Sequence, residues 1–229
     1  LMEKEFKYLS NTTVNSNNKC ILVIGGSKIS SKLHLLENFI DKATHILIGG
    51  AMAFTFLKAQ GIKVGKSLVE DDMLECAKKI LNDASLNKVV VVLPVDVACA
   101  KELNDELEPR ICSVDDIKDD EMGLDIGPET SMMYEMFITN SKYIIWNGPV
   151  GAFEFFNYAA GTHYLASLVR ETTLNNKAIS IIGGGDTVSA IESSGTLDGF
   201  THISTGGGAS LQLLSNKPLN IIEEWKKYE

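Results

Sequence analysis

Residues 20–39 read CILVIGGSKISSKLHLLENF. Five consecutive apolar residues (20–24) suit a strand buried on both faces, since a half-exposed strand alternates apolar with polar. The pair Gly25-Gly26 then permits a sharp turn and close backbone approach. From 28 to 42 the apolar residues Ile29, Leu33, Leu36 and Ile40 recur at helical spacing, and Leu35 and Phe39 widen the stripe. The stretch therefore predicts a strand, a glycine turn and a helix.

The same grammar recurs along the chain. Short β-type runs at 45–48, 142–146, 178–182 and 201–204 each lead into glycine: Gly49-Gly50, Gly148 with Gly151, Gly183-Gly184-Gly185 and Gly206-Gly207-Gly208. A sixth run, 88–93, stops at Pro94. Helical patterns occupy 51–59, 71–81, 131–139, 158–169 and 210–214. Strand–glycine–helix repeated in this way predicts an α/β fold: a doubly wound, three-layer α/β/α, Rossmann-like domain with a mainly parallel six-stranded sheet. Its glycine clusters fall at the carboxyl ends of strands, where open α/β sheets bind ligands.

Composition narrows the function classes. The chain has 229 residues, 45% of them hydrophobic, and a net charge of −9 from 21 Lys+Arg against 30 Asp+Glu. That charge argues against a broad nucleic-acid face. There is no run of eighteen apolar residues and no signal-peptide pattern, which points away from a membrane span. Cys20, Cys76, Cys99 and Cys112 form no Cys-x-x-Cys, and scattered thiols of this kind lead to the expectation of a cytoplasmic protein. The four histidines show no metal-ligand spacing, and Ser210 is not in a Gly-x-Ser-x-Gly elbow.

Three features carry candidate chemistry, each beside a plainer reading. Glycines after strands either ease a turn or open helix N–H groups to a phosphate. Two consecutive triples, 183–185 and 206–208, are costly for turns alone, at roughly 0.5–1 kcal/mol of backbone entropy per glycine. Neither spells Gly-x-Gly-x-x-Gly, and no P-loop sequence is present. Lys28 and Lys32 are placed at the start of the expected helix. There they oppose its dipole unless an anion binds, or else they are simply solvated. Asp186 either caps the next helix or serves as a magnesium ligand beside phosphates.

These blocks together resemble the nucleotide half of the phosphoglycerate kinase family. The resemblance rests on Ile24-Gly25-Gly26-Ser27-Lys28 with Lys32, the stretch from Ile48 to Leu57, Leu93-Pro94-Val95-Asp96 and the stretch from Met122 to Glu129. It continues through Trp146 to Glu154, Ile182 to Thr187, and Ser204 to Ser210. The resemblance implies reversible phosphoryl transfer between 1,3-bisphosphoglycerate and MgADP, yielding 3-phosphoglycerate and MgATP. It implies that Lys28, Gly185 and Gly207 act on the transferring phosphoryl group, with Gly206 and Gly208 beside it. The nucleotide would be held by Gly25, Gly26, Ser27, Lys28, Lys32, Gly49, Gly50, Ala51, Leu124, Asn147, Pro149 and Val150. Further nucleotide contacts would come from Glu154 at the ribose and from Gly183, Gly184, Gly185, Asp186 and Thr187 at the phosphates. Asp186 would hold Mg²⁺.

Ala51 stands where many relatives have a third glycine, and Ala152 replaces a larger aliphatic residue. The resemblance covers about half of a family member. On this reading residues 1–18 are the end of an interdomain helix with an Asn-rich loop, and 19–229 are the nucleotide-binding domain. The phosphoglycerate-binding N-terminal domain is absent from the chain. The expectation is a monomer with no nucleic-acid or membrane partner, which binds ADP or ATP and transfers almost nothing alone. An NAD-binding Rossmann domain of an oxidoreductase, or a domain that kept the fold and lost its ligand, are the alternatives.

Overall fold

The computed structural model describes residues 19–195 and 197–204. In chain order the strands are β1 (Cys20–Ile24), β2 (His45–Ile48), β3 (Val90–Val92), β4 (Asp96–Ala100), β5 (Arg110–Ser113), β6 (Met122–Ile126), β7 (Tyr143–Asn147), β8 (Ile179–Gly183) and β9 (His202–Ile203). The helices are α1 (Leu33–Phe39), α2 (Met52–Ala59), α3 (Leu74–Leu86), α4 (Pro128–Ile138), α5 (Ala160–Asn176) and α6 (Gly185–Ser193).

The six β-type runs of the sequence form one sheet in the order β3-β2-β1-β7-β8-β9. Every neighbouring pair in it is parallel. The continuous apolar character of β1 has a direct structural cause. Cys20, Leu22 and Ile24 face a core with α1, α2 and α3, and Ile21 and Val23 face a second core with α4, α5 and α6. The fold is the expected doubly wound, three-layer arrangement. The chain builds β1 to β3 outward in one direction and β7 to β9 in the other. The reversal lies between β1 and β7, and it leaves a crevice beyond their carboxyl ends.

A second, three-stranded antiparallel sheet, β5-β4-β6, was not expected from the sequence. Its central strand β4, Asp-Val-Ala-Cys-Ala, is fully buried but poor in β-branched residues. Its burial comes from neighbours distant in sequence: Phe54 and Leu57 pack near Val97 and Cys99, and Tyr158 packs on Ala98 and Ala100.

Helix boundaries also shift. The helix expected from 28 begins at Leu33, because fully buried Ile29 draws the preceding loop inward and Gly26 adopts φ +98°. The pattern at 71–81 is a 3₁₀ turn, Asp71–Met73, followed by α3 to Leu86. The pattern at 131–139 starts earlier, with Pro128 in the first turn of α4, where a missing N–H costs nothing. The pattern at 158–169 starts at Ala160 and extends to Asn176, ending on Lys177 at φ 54°. Residues 210–214 lie outside the described residues.

Candidate functional site

Three glycine turns interlock at the crevice. The Gly25 N–H donates to the Asn147 carbonyl (3.0 Å), Gly26 N–H to the Pro149 carbonyl (2.8 Å) and Gly50 N–H to the Val150 carbonyl (2.8 Å). Backbone approaches backbone so closely that a Cβ on Gly25 would sit 2.1 Å from the Pro149 carbonyl oxygen, and one on Gly50 would sit 2.6 Å from the Gly26 nitrogen. For these glycines, packing alone is a sufficient cause. Gly185 differs: it is exposed, and a Cβ there would meet nothing within 4 Å. No packing demand accounts for it.

Gly185 borders an open cleft of about 230 Å³ lined by Gly26, Ser27, Ser31, Lys32, Gly148, Pro149, Gly184, Gly185, Asp186 and Thr187. The first turn of α6 borders this cleft, and its N-cap residue, Gly184, makes no side-chain cap. Such a helix start favours anions through its free donors and its dipole. Gly184, not Asp186, occupies the cap position. Asp186 is an exposed carboxylate in the first helical turn, so the helix-cap reading of this residue is set aside.

Across the cleft, the Lys32 ammonium hydrogen-bonds Asn147 Oδ1. Burial pushes the Lys32 pKa down and the nearby Asp186 charge opposes that shift. A second anion at the cleft would favour the charged form further. Asn147 is fully buried, and among the described residues its Nδ2 has no hydrogen-bond partner. That Nδ2 lies beneath the triple glycine, 3.1 Å from where a Gly184 Cβ would be. Thr187 is also fully buried, but its hydroxyl is committed internally. It donates to the Gly183 carbonyl (2.8 Å) and accepts from the Gly148 N–H (2.7 Å). Only the Thr187 backbone remains for a ligand.

The other expected residues fall into separate places. Lys28 is exposed in the bend after Ser27 and is not among the cleft-lining residues. Ala51 precedes α2 in ordinary right-handed helical geometry. Gly49 packs on Val150, where a Cβ would come within 2.6 Å of the valine side chain. Gly50, Leu124 and Val150 do come together, but with Phe54, Pro94 and Asp125 they enclose only about 10 Å³, roughly one water. A purine does not fit inside that gap. Glu154 is exposed in the loop after β7. Gly206, Gly207 and Gly208 lie outside the described residues. Sequence reasoning missed Ser31 and Gly148 as lining residues. Gly148, at φ +96° between two close turns, was legible from its Asn-Gly-Pro setting, whereas nothing local marks Ser31.

Among the described residues no cluster of three or more His, Cys, Asp or Glu is placed to hold a metal. None of their helices is long and apolar enough to cross a membrane.

Comparison with known proteins agrees with this fold. The family model for phosphoglycerate kinase matches residues 1–217. The chain is 47% identical over 219 residues to a phosphoglycerate kinase of Chloroherpeton thalassium, covering 96% of this chain and 55% of that protein. A Finegoldia magna phosphoglycerate kinase is 45% identical over 223 residues, covering 97% and 55%. The structure of phosphoglycerate kinase from Coxiella burnetii superposes with a TM-score of 0.90 at 40% identity, covering 95% of this chain and 56% of that one. The Pyrococcus horikoshii enzyme superposes at 0.81 with 27% identity, covering 99% and 56%. This chain thus spans about half the length of the relatives it matches. A family match that runs through all of the described strands and helices leads to one conclusion: the chain belongs to the phosphoglycerate kinase family.

Proposed function

We propose that residues 19–229 are the nucleotide-binding part of a phosphoglycerate kinase, holding ADP or ATP for reversible phosphoryl transfer to and from 3-phosphoglycerate. The observation that carries this reading is the cleft between the half-buried Lys32 ammonium and the uncapped first turn of α6. One positive charge and several free N–H groups converge there, as a polyphosphate requires.

Phosphoryl transfer needs little covalent help from a protein, mainly positioning and charge stabilisation. Lys32 and the α6 N–H groups hold the non-transferring phosphates. Exposed Lys28 reaches toward the transferring group, assisted by Gly185 and, outside the described residues, by Gly206, Gly207 and Gly208. Gly25, Gly26, Gly49, Gly50, Leu124 and Pro149 form the base- and ribose-facing wall, with Ala51 and Val150 beside it and Ser27 on the phosphate side, where it lines the cleft. The base rests on its outer side rather than within the 10 Å³ gap. Glu154 accepts from the ribose hydroxyls.

The residues present fit a magnesium ion: Asp186 is a single exposed carboxylate at the cleft, and Mg²⁺ is commonly held by one carboxylate, phosphate oxygens and water. When bound, the ion supplies charge neutralisation at the phosphate oxygens. On this reading the phosphoglycerate site lies outside the half of the family that this chain matches. These 229 residues alone therefore bind nucleotide and transfer very slowly, because alignment of the two substrates is worth about 7–11 kcal/mol of the barrier. In this reading the protein works in the cytoplasm as a monomer, without nucleic-acid or membrane partners.

Calorimetry with MgADP and, separately, NADH tests the proposal. MgADP is expected to bind and NADH to give no heat. Silence at millimolar MgADP would overturn the reading.

A further inference from the structure

The loop from Gly25 to Lys32 carries both lysines yet has no regular structure of its own. One anchor is Ile29, fully buried in the core beneath it. The other is remote. Glu70 places both carboxylate oxygens on one residue of the loop: the Ser30 Oγ–H donates to Oε1 (2.5 Å) and the Ser30 N–H donates to Oε2 (3.2 Å). Glu70 is itself held on α2, since its N–H donates to the hydroxyl of buried Thr55 (3.1 Å) and the following Asp71 pairs with Lys58 (2.7 Å). A chain of contacts thus runs from the helix that follows the Gly49-Gly50 turn, through Glu70, to the residue midway between Lys28 and Lys32. Next to it the Ser31 hydroxyl closes the turn on the Lys28 carbonyl (2.9 Å).

The chemistry of this contact is informative. A carboxylate bonded to Ser30, which lies two residues along the chain from each lysine, would ordinarily weaken an anion site. Here it accepts from two neutral donors of the loop instead of pairing with either ammonium, and Lys32 turns to Asn147. Charge-assisted hydrogen bonds to a backbone N–H and a neighbouring hydroxyl restrict loop geometry, and restricting a ligand-binding loop lowers the cost of ordering it on binding.

We propose that Glu70 is a positioning residue for the phosphate-binding loop, holding the Ser30 turn so that Lys28 and Lys32 stand ready for a nucleoside polyphosphate. The inference rests on the nucleotide reading above for its ligand but not for its geometry. Positioning and plain electrostatics predict opposite signs. If Glu70 acts only as a nearby negative charge, Glu70→Gln and Glu70→Ala both tighten ADP binding. If it positions the loop, Glu70→Ala weakens ADP about tenfold, the loss of a charged hydrogen-bond pair. Glu70→Gln, keeping one acceptor oxygen, then falls between, and adenosine binding changes less than about twofold because it has no phosphate for the positioned Lys28 and Lys32 to engage.

The test uses the 229-residue chain in two arms. The first titrates ADP and adenosine into wild type, Glu70→Ala, Glu70→Gln and Ser30→Ala. The second measures amide hydrogen exchange of the ligand-free proteins. In Glu70→Ala, exchange at the Ser30 amide is expected to rise at least about tenfold, with the α3 and α5 amides unchanged as a control for folding. Ser30→Ala should reproduce part of the ADP loss and diminish the further effect of Glu70→Ala. Unchanged exchange across 27–32, or ADP binding that tightens in both Glu70 variants, overturns the positioning role. A wild type that binds no ADP overturns the nucleotide reading instead, and the exchange arm still decides whether Glu70 holds the loop.

Discussion

The ammonium of Lys32 hydrogen-bonds the side-chain oxygen of Asn147, 115 residues away, at the carboxyl ends of the two strands where the sheet reverses its winding. The pair joins a half-buried cation to a fully buried amide whose nitrogen has no partner among the described residues. Both groups lie against the start of α6, so the cleft concentrates donors where a phosphate would sit.

Replacing Lys32 by Met keeps the aliphatic stem and removes the charge. ADP affinity is expected to fall more than about tenfold, the typical worth of a charged hydrogen bond, with adenosine little affected. Because burial depresses the Lys32 pKa and a polyanion raises it again, wild type should also take up protons on binding ADP at alkaline pH. Calorimetry in buffers of different ionisation enthalpy reads that uptake, which Lys32→Met should lose. Equal losses for ADP and adenosine would contradict a phosphate role.

Asp186 lies in the first turn of α6 without capping it. Asp186→Asn is therefore expected to leave thermal stability nearly unchanged while erasing most of the difference between MgADP and free ADP affinity. The check is a pair of titrations with and without magnesium. An undiminished magnesium effect in the variant would assign the ion elsewhere.

The two kinds of glycine separate by stability. Gly50→Ala forces a Cβ to 2.6 Å from the Gly26 nitrogen at φ +66°. It should destabilise the fold by at least about 1–3 kcal/mol through strain. Gly185→Ala places a methyl in open space on a helix, which should leave the melting temperature equal or higher, since Ala is favoured there by roughly 0.5–1 kcal/mol. Its ADP affinity should nonetheless fall if phosphate approaches that backbone. Thermal melts and ADP titrations of both variants check the contrast.

Asp125 accepts from the Gly161 N–H at the start of α5 (2.8 Å) and from the Ile126 N–H (2.9 Å), and burial raises its pKa to about 7. In the unfolded chain it titrates near 4, roughly the ordinary value. Between those values the folded state keeps a proton that the unfolded state has lost. The contribution of Asp125 to stability therefore falls as pH rises through this window and is constant on either side. Asp125→Asn removes the dependence. The stability difference, wild type minus variant, should decline by up to about 1.4 kcal/mol per pH unit from roughly pH 4 to 7. Urea unfolding at several pH values reads this difference. Parallel curves would mean that Asp125 stays ionised in the folded protein.

The six strands of the main sheet were legible in the sequence: the four inner ones are buried on both faces, which requires a continuous apolar run, and the partly exposed edge strands β3 and β9 were marked by short β-type runs that end near a proline or glycine. The positions of the glycines at 25–26, 49–50, 148 and 183–185, and of Lys32 and Asp186, at one end of that sheet followed from the same local grammar. Tertiary structure alone decided the rest. The adjacency of β1 and β7, which brings Lys32 to Asn147, is a pairing across more than a hundred residues that no local pattern encodes. The second sheet escaped notice because Ala98, Cys99 and Ala100 become a strand only through packing against Phe54 and Tyr158. Lys28 and Lys32 look equivalent in sequence. The burial of Ile29 delays the helix to Leu33, leaving one lysine exposed and the other half-buried against Asn147. Likewise Gly25 and Gly185 are the same residue after similar strands. One is required by a carbonyl 2.1 Å from its missing Cβ and the other faces open space, a distinction that exists only once distant turns have been packed together.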